Sequence, residues 1–176
     1  MDIVDWKHAE FKKHYDSWGN YHWRWYKTKS NYRKYVDFLK EWVKEKNTLE
    51  VGAGDGLIVS LLNIKGVDRE IAGVNFAREK GADVVVGDAT KLPFKDEEFE
   101  AVLIANTFEH LDHPKESIQE ARRVLSKYLY LVVPPKENGK FRMTKEKLKS
   151  FVENIGFKEI EAITINDEFG GKFQKI

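Results

Sequence analysis

The sequence contains no cysteine and only four prolines and two methionines among its 176 residues. Without thiols the chain can form no disulfide, no thiolate metal site and no covalent intermediate on a cysteine nucleophile. Enzymes that attack a pyrimidine ring through a cysteine thiolate are therefore excluded, and we predict no metal site. Charged residues make up 34% of the chain, with Lys and Glu dominant, a balance that suggests a heat-adapted source.

Long apolar runs are also missing. No stretch approaches the roughly 18 apolar residues that cross a bilayer, and the opening MDIVDWKHAEF lacks the basic-then-apolar pattern of a signal peptide. We therefore expect a cytoplasmic protein with no membrane partner. The length suits one domain with an added segment, and we divide the chain into an aromatic-rich helical extension, residues 1–46, and a main domain, residues 47–176.

Short apolar strands alternate with amphipathic helices along the main domain. This order predicts an α/β fold: a Rossmann-like, doubly wound, mostly parallel seven-stranded sheet with a terminal antiparallel hairpin and an N-terminal helical extension. Only AREKG separates the second predicted strand from the third, so the crossover there is predicted to be about one turn. The predicted strands are TLEV, EIAGVNF, DVVVGDA, AVLIANT, KYLYLVV and the hairpin around NDEFGG. Ser30 and Thr144 are predicted to cap two helices, a third helix begins at Leu57, and a fourth has Pro114 in its first turn.

The glycine turn in LEVGAGDG, residues 49–56, indicates the kind of ligand. Its spacing is GxGxG, whereas a dinucleotide-binding turn has GxGxxG. Glu50, two positions before the first glycine, would repel a phosphate and attract an amino group. Ligands of such sheets bind at the carboxyl ends of the strands. We therefore predict a cationic, phosphate-free cofactor at the ends of the five parallel strands, which the predicted boundaries place after Val51, Val74, Val86, Ala105 and Val133.

Four segments in order resemble motifs of the class I S-adenosylmethionine-dependent methyltransferases, in particular the small, single-domain, type 11-like members. The resemblance covers about residues 47–165 and implies S-adenosylmethionine as cofactor, bound by residues 47–176, with methyl transfer by in-line displacement. The segments are LEVGAGDG, GDATKLPF at 87–94, FEAVLIANTFEHLDHPKESIQEARRVL at 99–125 and FRMTKEKLKSFVENIGFKEI at 141–160.

The resemblance also assigns cofactor-binding residues. Asp88 would accept from the adenine amino group, Ala89 would donate its backbone N–H, and Asn106 would offer its carbonyl to the methionine ammonium group. The family ends its second strand with an acidic residue that binds the ribose hydroxyls, and the aligned residue is Asn75, which would weaken cofactor binding by about 1 kcal/mol. Lining of the methionine end is assigned to Glu50, Gly52, Ala53 and Gly54.

Methyl transfer from a sulfonium requires alignment and exclusion of water rather than an obligatory catalytic group. If the acceptor is a hydroxyl, the general-base candidates are His110 and His22; alternatively His110 packs beside the cofactor at a helix start, and His113 is a solvated cap. Family members that methylate base or amide nitrogens carry Asn or Asp before Pro-Pro-Tyr or Pro-Pro-Phe after the fourth strand. That place reads NTFE here, and the pair Pro134-Pro135 follows the fifth strand instead.

The aromatic segment YDSWGNYHWRWY, residues 15–26, predicts either a lid over the cofactor or an extension packed on the sheet. As a lid, its aromatic faces would contact the sulfonium and exclude water. All five tryptophans precede residue 43. The residues assigned to the lid are Trp18, Tyr21, His22, Trp23 and Tyr26.

The uneven charge bears on the acceptor. Residues 1–46 carry 11 Lys and Arg against 7 Asp and Glu, and residues 136–149, which include KENGKFRMTKEK, carry 6 against 2. A positive entrance would favour an anionic acceptor. We therefore predict a small-molecule acceptor, with RNA or protein as the alternative partner. A non-catalytic cofactor-binding subunit is the third hypothesis, which rests on Asn75 in place of the family's acid and on the short crossover after it. The sequence does not indicate the oligomeric state.

Overall fold

The computed structural model describes residues 21–134 and 143–176. Trp18, Pro135 and most of the basic loop lie outside these residues. The described part contains six α-helices, one 3-10 helix at Phe108–His110, and seven strands. The helices are α1 Tyr21–Thr28, α2 Ser30–Trp42, α3 Leu57–Leu62, α4 Ile71–Glu79, α5 Pro114–Val124 and α6 Lys145–Glu153; the strands are β1 Thr48–Val51, β2 Lys65–Asp68, β3 Val84–Val86, β4 Phe99–Ala105, β5 Leu125–Val133, β6 Phe157–Ile165 and β7 Glu168–Lys175.

The strands form one sheet in the order β3-β2-β1-β4-β5-β7-β6. Strands β1 to β5 are parallel, and β7 pairs antiparallel with both β5 and β6. The predicted seven-stranded α/β sheet with a terminal hairpin is therefore confirmed. Because β7 runs against β5, its first residues lie at the same edge as the last residues of β5, with Phe169 opposite Val133.

Both faces of the sheet are covered, as the alternation along β4 requires. Val102 and Ile104 face a core shared with α5 and α6. Ala101, Leu103 and Ala105 face the other core, where α2 contributes Tyr35, Val36, Leu39 and Trp42. Helix α2 therefore packs on the same sheet as the main domain. The predicted division of the chain at residue 46 stays a prediction.

Helix boundaries follow the sequence signals in most places. Pro114 occupies the first turn of α5, and the Thr144 hydroxyl caps α6 by accepting from the Lys147 amide at 3.3 Å. The expected cap at Ser30 is absent: Ser30 is the first residue of α2, and the capping position is Lys29, without a side-chain bond.

The second strand was predicted in the wrong place. Residues 71–76 of the segment EIAGVNF belong to the nine-residue helix α4, and Glu70 is its N-cap. Strand β2 is the segment KGVD that precedes this helix. Gly73, Val74 and Ala77 are buried at helical spacing. Ile71 is 62% exposed, although its apolar side chain contributed to the pattern that predicted a strand. The crossover to β3 is therefore more than two turns of helix, and the predicted one-turn connection is also wrong.

Among the described residues, no helix combines the length and hydrophobicity that a membrane span requires.

Candidate functional site

A cavity of about 530 Å³ opens at the carboxyl edge of the sheet, within the usual size range of small-ligand sites. The strand order arranges its residues in a row. Asp88 follows β3, Asp68 ends β2, Gly52 follows β1, Asn106 follows β4, and Glu168 begins β7, and all five line the cavity. The cavity therefore has two parts: a β1–β3 side and a β4–β7 side.

The glycine loop on the β1–β3 side is held by Asp68. One carboxylate oxygen of Asp68 accepts the Gly54 amide at 2.7 Å, and the other accepts the Glu70 amide at 2.8 Å. Gly52 has φ +82°, and a Cβ there would collide with the side chain of Thr107. The backbone of the loop is therefore bare where it faces the cavity.

Asp88 and Glu50 give this side its acidic character. Hydrogen bonds from the Thr90 amide and hydroxyl, at 2.7 and 2.8 Å, hold the pKa of Asp88 below its usual value, and both reach the same oxygen, Oδ1. Glu50 is 2% exposed, and its Oε2 has no hydrogen-bond partner among the described residues. Burial, together with the charges of Asp55 and Asp68, raises the pKa of Glu50 well above its usual value.

Asp55, inside the glycine turn, anchors α1 to the cavity. Its carboxylate accepts the His22 amide at 3.1 Å and contacts His22 Nδ1 at 3.1 Å, and its backbone carbonyl accepts from Trp23 Nε1 at 3.0 Å. Asp55 is fully buried. Asp55 of the glycine loop therefore holds the start of α1, at His22 and Trp23, against the edge of the cavity.

Aromatic rings from α1 and α2 form the wall above the loop. The ring centroids of Tyr21 and Trp25 are 4.9 Å apart, and those of Trp25 and Tyr32 are 5.7 Å apart. The His22 ring stacks on Tyr32 at 5.9 Å. Tyr35 follows one turn later on α2 and also lines the cavity.

The β4–β7 side contains two further acids. Asn106 Nδ2 donates to Glu168 Oε1 at 3.3 Å, and Glu109 Oε1 lies 3.6 Å from His110 Nε2. Burial, together with the charge of Glu168, raises the pKa of Glu109 to about 7. Burial also raises the pKa of Glu168 to about 7, although the hydrogen bond from Asn106 lowers it.

Most of the residues predicted for the site lie together. Gly54 is the exception in the glycine loop, since it supports the loop through Asp68 without lining the cavity. Trp23 and Tyr26 lie behind the wall, where Tyr26 donates to Asp37 at 3.0 Å. His113 lines the cavity in addition to preceding α5. The predicted residues that line the cavity are Glu50, Gly52, Ala53, Asp88, Ala89, Asn106, Tyr21, His22 and His110.

Asn75 does not end the second strand, so the prediction that placed it there is wrong. It is exposed on α4 and is not among the cavity residues. Asp68 occupies the strand end instead, 16 residues after Gly52, near the spacing of about 20 at which nucleotide-binding sheets carry such an acid. That spacing could have identified Asp68 from the sequence.

Other cavity residues gave no sequence signal. Asp55 reads as a turn residue, Trp25 as one aromatic among many, and Glu109 and Glu168 as ordinary surface acids. Their position depends on how the chain folds back to the sheet edge. No group of three or more His, Asp or Glu side chains in residues 21–134 and 143–176 is arranged to hold a metal ion.

Comparisons with known proteins agree with this geometry. Residues 49–133 match the family model described as a methyltransferase domain. An uncharacterized protein of Methanocaldococcus jannaschii is 30% identical over 178 residues, covering 98% of this chain and 82% of that protein. Demethylmenaquinone methyltransferase of Thermotoga maritima is 31% identical over 110 residues, covering 57% of this chain and 48% of that enzyme.

A solved structure also resembles this chain. It is a Thermotoga maritima protein described as an SAM-dependent methyltransferase, "possible histamine N-methyltransferase". It aligns with a TM-score of 0.78 and 23% identity over 94% of this chain and 98% of that one. At this identity the likeness is one of fold.

Proposed function

We propose that this chain, which belongs to the S-adenosylmethionine-dependent methyltransferases, transfers the methyl group to a small molecule held in the cavity at the carboxyl edge of its sheet. The observation that carries the proposal is the row of Asp88, Asp68 and the bare glycine loop beside a second, differently lined part of the same cavity. One part suits the cofactor and the other leaves room for an acceptor.

The residues fit the cofactor on physical grounds. A loop without side chains permits close approach of a ligand, and Gly52 admits no Cβ. Glu50 offers a buried oxygen without a partner, and the cofactor carries an ammonium group and a sulfonium. In this proposal Asp68 accepts hydrogen bonds from the ribose hydroxyls, and Asp88 accepts one from the adenine amino group. The cofactor supplies an activated methyl group, so the chain has to bind, orient and exclude water.

The aromatic wall supports exclusion of water and contact with a cation. Tyr21, Trp25 and Tyr32 cover the mouth of the cavity, and Asp55 fixes the helix that carries two of them. His22 and His110 remain the candidates for a general base. For His22, the contact between Nδ1 and Asp55 would orient the ring, in the manner of a base held by a carboxylate.

The argument for a non-catalytic relative loses its basis. It rested on Asn75 in place of an acid and on a shortened crossover, whereas Asp68 ends β2 and α4 has nine residues. The anionic acceptor and the RNA or protein alternative rest on the basic excess of residues 1–46 and 136–149, of which residues 1–20 and 136–142 lie outside the described residues, and both stay predictions.

Calorimetric titration tests the proposal. S-adenosylmethionine and S-adenosylhomocysteine should bind, and NAD should not. Gly52→Ala should weaken both cofactor forms at least tenfold, because its Cβ would displace Thr107 and narrow the loop. Gly81→Ala is the matched control: Gly81 has φ +81°, nearly the same as Gly52, but no atom lies within 4 Å of its added Cβ. Failure of wild-type protein to bind either form would overturn the proposal.

A further inference from the structure

Two carboxyl groups on the β4–β7 side of the cavity each have an oxygen that accepts no hydrogen bond from the described residues. Glu109 Oε2 and Glu168 Oε2 are buried, and neither has a hydrogen-bond partner among the described residues. Asn106 holds the other oxygen of Glu168 at 3.3 Å, and Asn106 Oδ1 is itself buried without a partner in the described chain. Three buried acceptor oxygens, all on residues that line the cavity, therefore accept no hydrogen bond from the described residues.

Tyr35 provides an independent indication of a ligand here. Its side chain is 2% exposed and lines the cavity, yet its hydroxyl finds no partner in the described part of the chain. Burial is the main cause that raises the pKa of Tyr35, and the charge of Glu168 comes next, with a smaller contribution from Glu109. The hydroxyl is therefore close enough to both carboxyl groups to be affected by their charges. A buried hydroxyl left unpaired is destabilising, and a polar ligand that bonds to it would remove that cost.

The charge of the surroundings selects the kind of ligand. The described residues that line the cavity include eight Asp and Glu side chains and one Arg, Arg69. Arg69 is occupied by Asp112 at 3.0 Å. An anion placed between Glu109 and Glu168 would meet two like charges, whereas a cation would allow both to ionise.

The wall adds aromatic faces to the same space. The Trp25 ring lies edge to face within 6 Å of both the Tyr21 ring and the Tyr32 ring, and all three line the cavity. Aromatic rings combined with carboxylates are the usual receptor for an organic ammonium. A metal ion would need oxygen ligands that converge, and no such group is found among the described residues.

We propose that the acceptor is an organic amine, bound as its ammonium between Glu109 and Glu168 with Tyr35 as a third polar contact, and methylated on that nitrogen. The inference rests on the proposed function and names its substrate class. The ammonium first gives one proton to a carboxylate of the pair. The nitrogen lone pair then forms the N–C bond to the methyl carbon while the S–C bond breaks and its electron pair stays on sulfur, which leaves S-adenosylhomocysteine and a methylated ammonium.

A carboxyl group with a pKa raised to about 7 is a suitable proton acceptor at neutral pH. An ordinary exposed glutamate would take up a proton only at much lower pH. Burial of the pair therefore serves both the binding of a cation and the release of the free amine.

Matched probes test this assignment in the presence of saturating S-adenosylhomocysteine. The probes are 2-phenylethylamine, 2-phenylethanol and 3-phenylpropionate, which share a ring and differ in charge. We expect the amine to bind at least tenfold more tightly than the alcohol, with no binding of the carboxylate. Glu168→Gln and Glu109→Gln should each weaken the amine at least tenfold while changing the S-adenosylhomocysteine affinity less than twofold. Glu161→Gln is the control, because Glu161 is exposed on β6 and lies outside the cavity, and it should change neither affinity.

Each contrary result has a distinct meaning. Equal binding of amine and alcohol, preference for the carboxylate, or no binding of any probe beside bound S-adenosylhomocysteine would overturn the amine site and leave the proposed function standing. Loss of S-adenosylhomocysteine binding in the Gln variants would assign the pair to the cofactor's own ammonium group and likewise overturn it. If wild-type protein fails to bind S-adenosylhomocysteine, it is the proposed function that fails.

Discussion

Replacing Asp68 by Asn tests whether Asp68, rather than Asn75, binds the ribose hydroxyls of the cofactor. Both Asp68 oxygens accept backbone amides, from Gly54 at 2.7 Å and Glu70 at 2.8 Å. An amide side chain keeps only one acceptor, so one of these buried N–H groups loses its partner. Such a loss costs about 1–3 kcal/mol. Burial raises the pKa of Asp68, which means that the buried charge is itself unfavourable, so its removal offsets part of this loss. We therefore expect the free energy of unfolding to fall by about 1 kcal/mol.

Cofactor affinity should fall further than stability. A hydrogen bond to a charged acceptor contributes about 1.5–3 kcal/mol, and each 1.4 kcal/mol is a factor of about ten in affinity. Asp68→Asn should therefore weaken S-adenosylhomocysteine binding by about 10- to 100-fold, measured by calorimetric titration. Urea unfolding of the same samples gives the change in stability.

Asn75→Ala is the matched control, because Asn75 is exposed on α4 and outside the cavity. It should leave the affinity within twofold and raise stability by a few tenths of a kcal/mol through helix propensity, on the order of the difference between Asn and Ala. If Asn75→Ala weakens the cofactor as much as Asp68→Asn, or if Asp68→Asn leaves the affinity unchanged, the assignment of the strand-end acid is wrong.

Three further changes test separate parts of the structure. The pKa of Glu109 is raised from 4.5 to about 7, so its contribution to stability is fully present below about pH 4.5 and is lost as the pH rises through 7. Relative to wild type, the free energy of unfolding of Glu109→Gln should therefore rise by about 2–3 kcal/mol between pH 5 and pH 8 in urea titrations, and a constant difference would contradict the shift. Asp55→Ala removes the contacts to the His22 amide and Nδ1, so hydrogen exchange in α1 should accelerate at least tenfold; unchanged exchange would mean that packing alone holds α1. Gly170→Ala places a Cβ against the backbone oxygen of Leu131, so it should lower the melting temperature by several degrees in calorimetry; an unchanged value would show that the hairpin shifts without cost.

The sequence alone determined the elements whose signals are local. Strand β1, the glycine turn, α5 with Pro114 in its first turn, and the Thr144 cap were predicted from spacing and capping chemistry, which act within a few residues. The order of these elements then predicted the sheet, and its carboxyl edge predicted where the cofactor site lies. Most of the glycine-loop, β3 and β4 residues assigned to that site line the cavity.

Tertiary structure decided what local signals could not. EIAGVNF has strand-like composition, but KGVD pairs between β1 and β3, and α4 is left to cover the sheet. Glu168 lies far along the chain from Glu109, and only antiparallel pairing of β7 with β5 brings it to the carboxyl edge. The burial that raises the pKa of both acids, and the anchoring of α1 by Asp55, arise from contacts between distant segments, for which a single sequence carries no periodic or spacing signal.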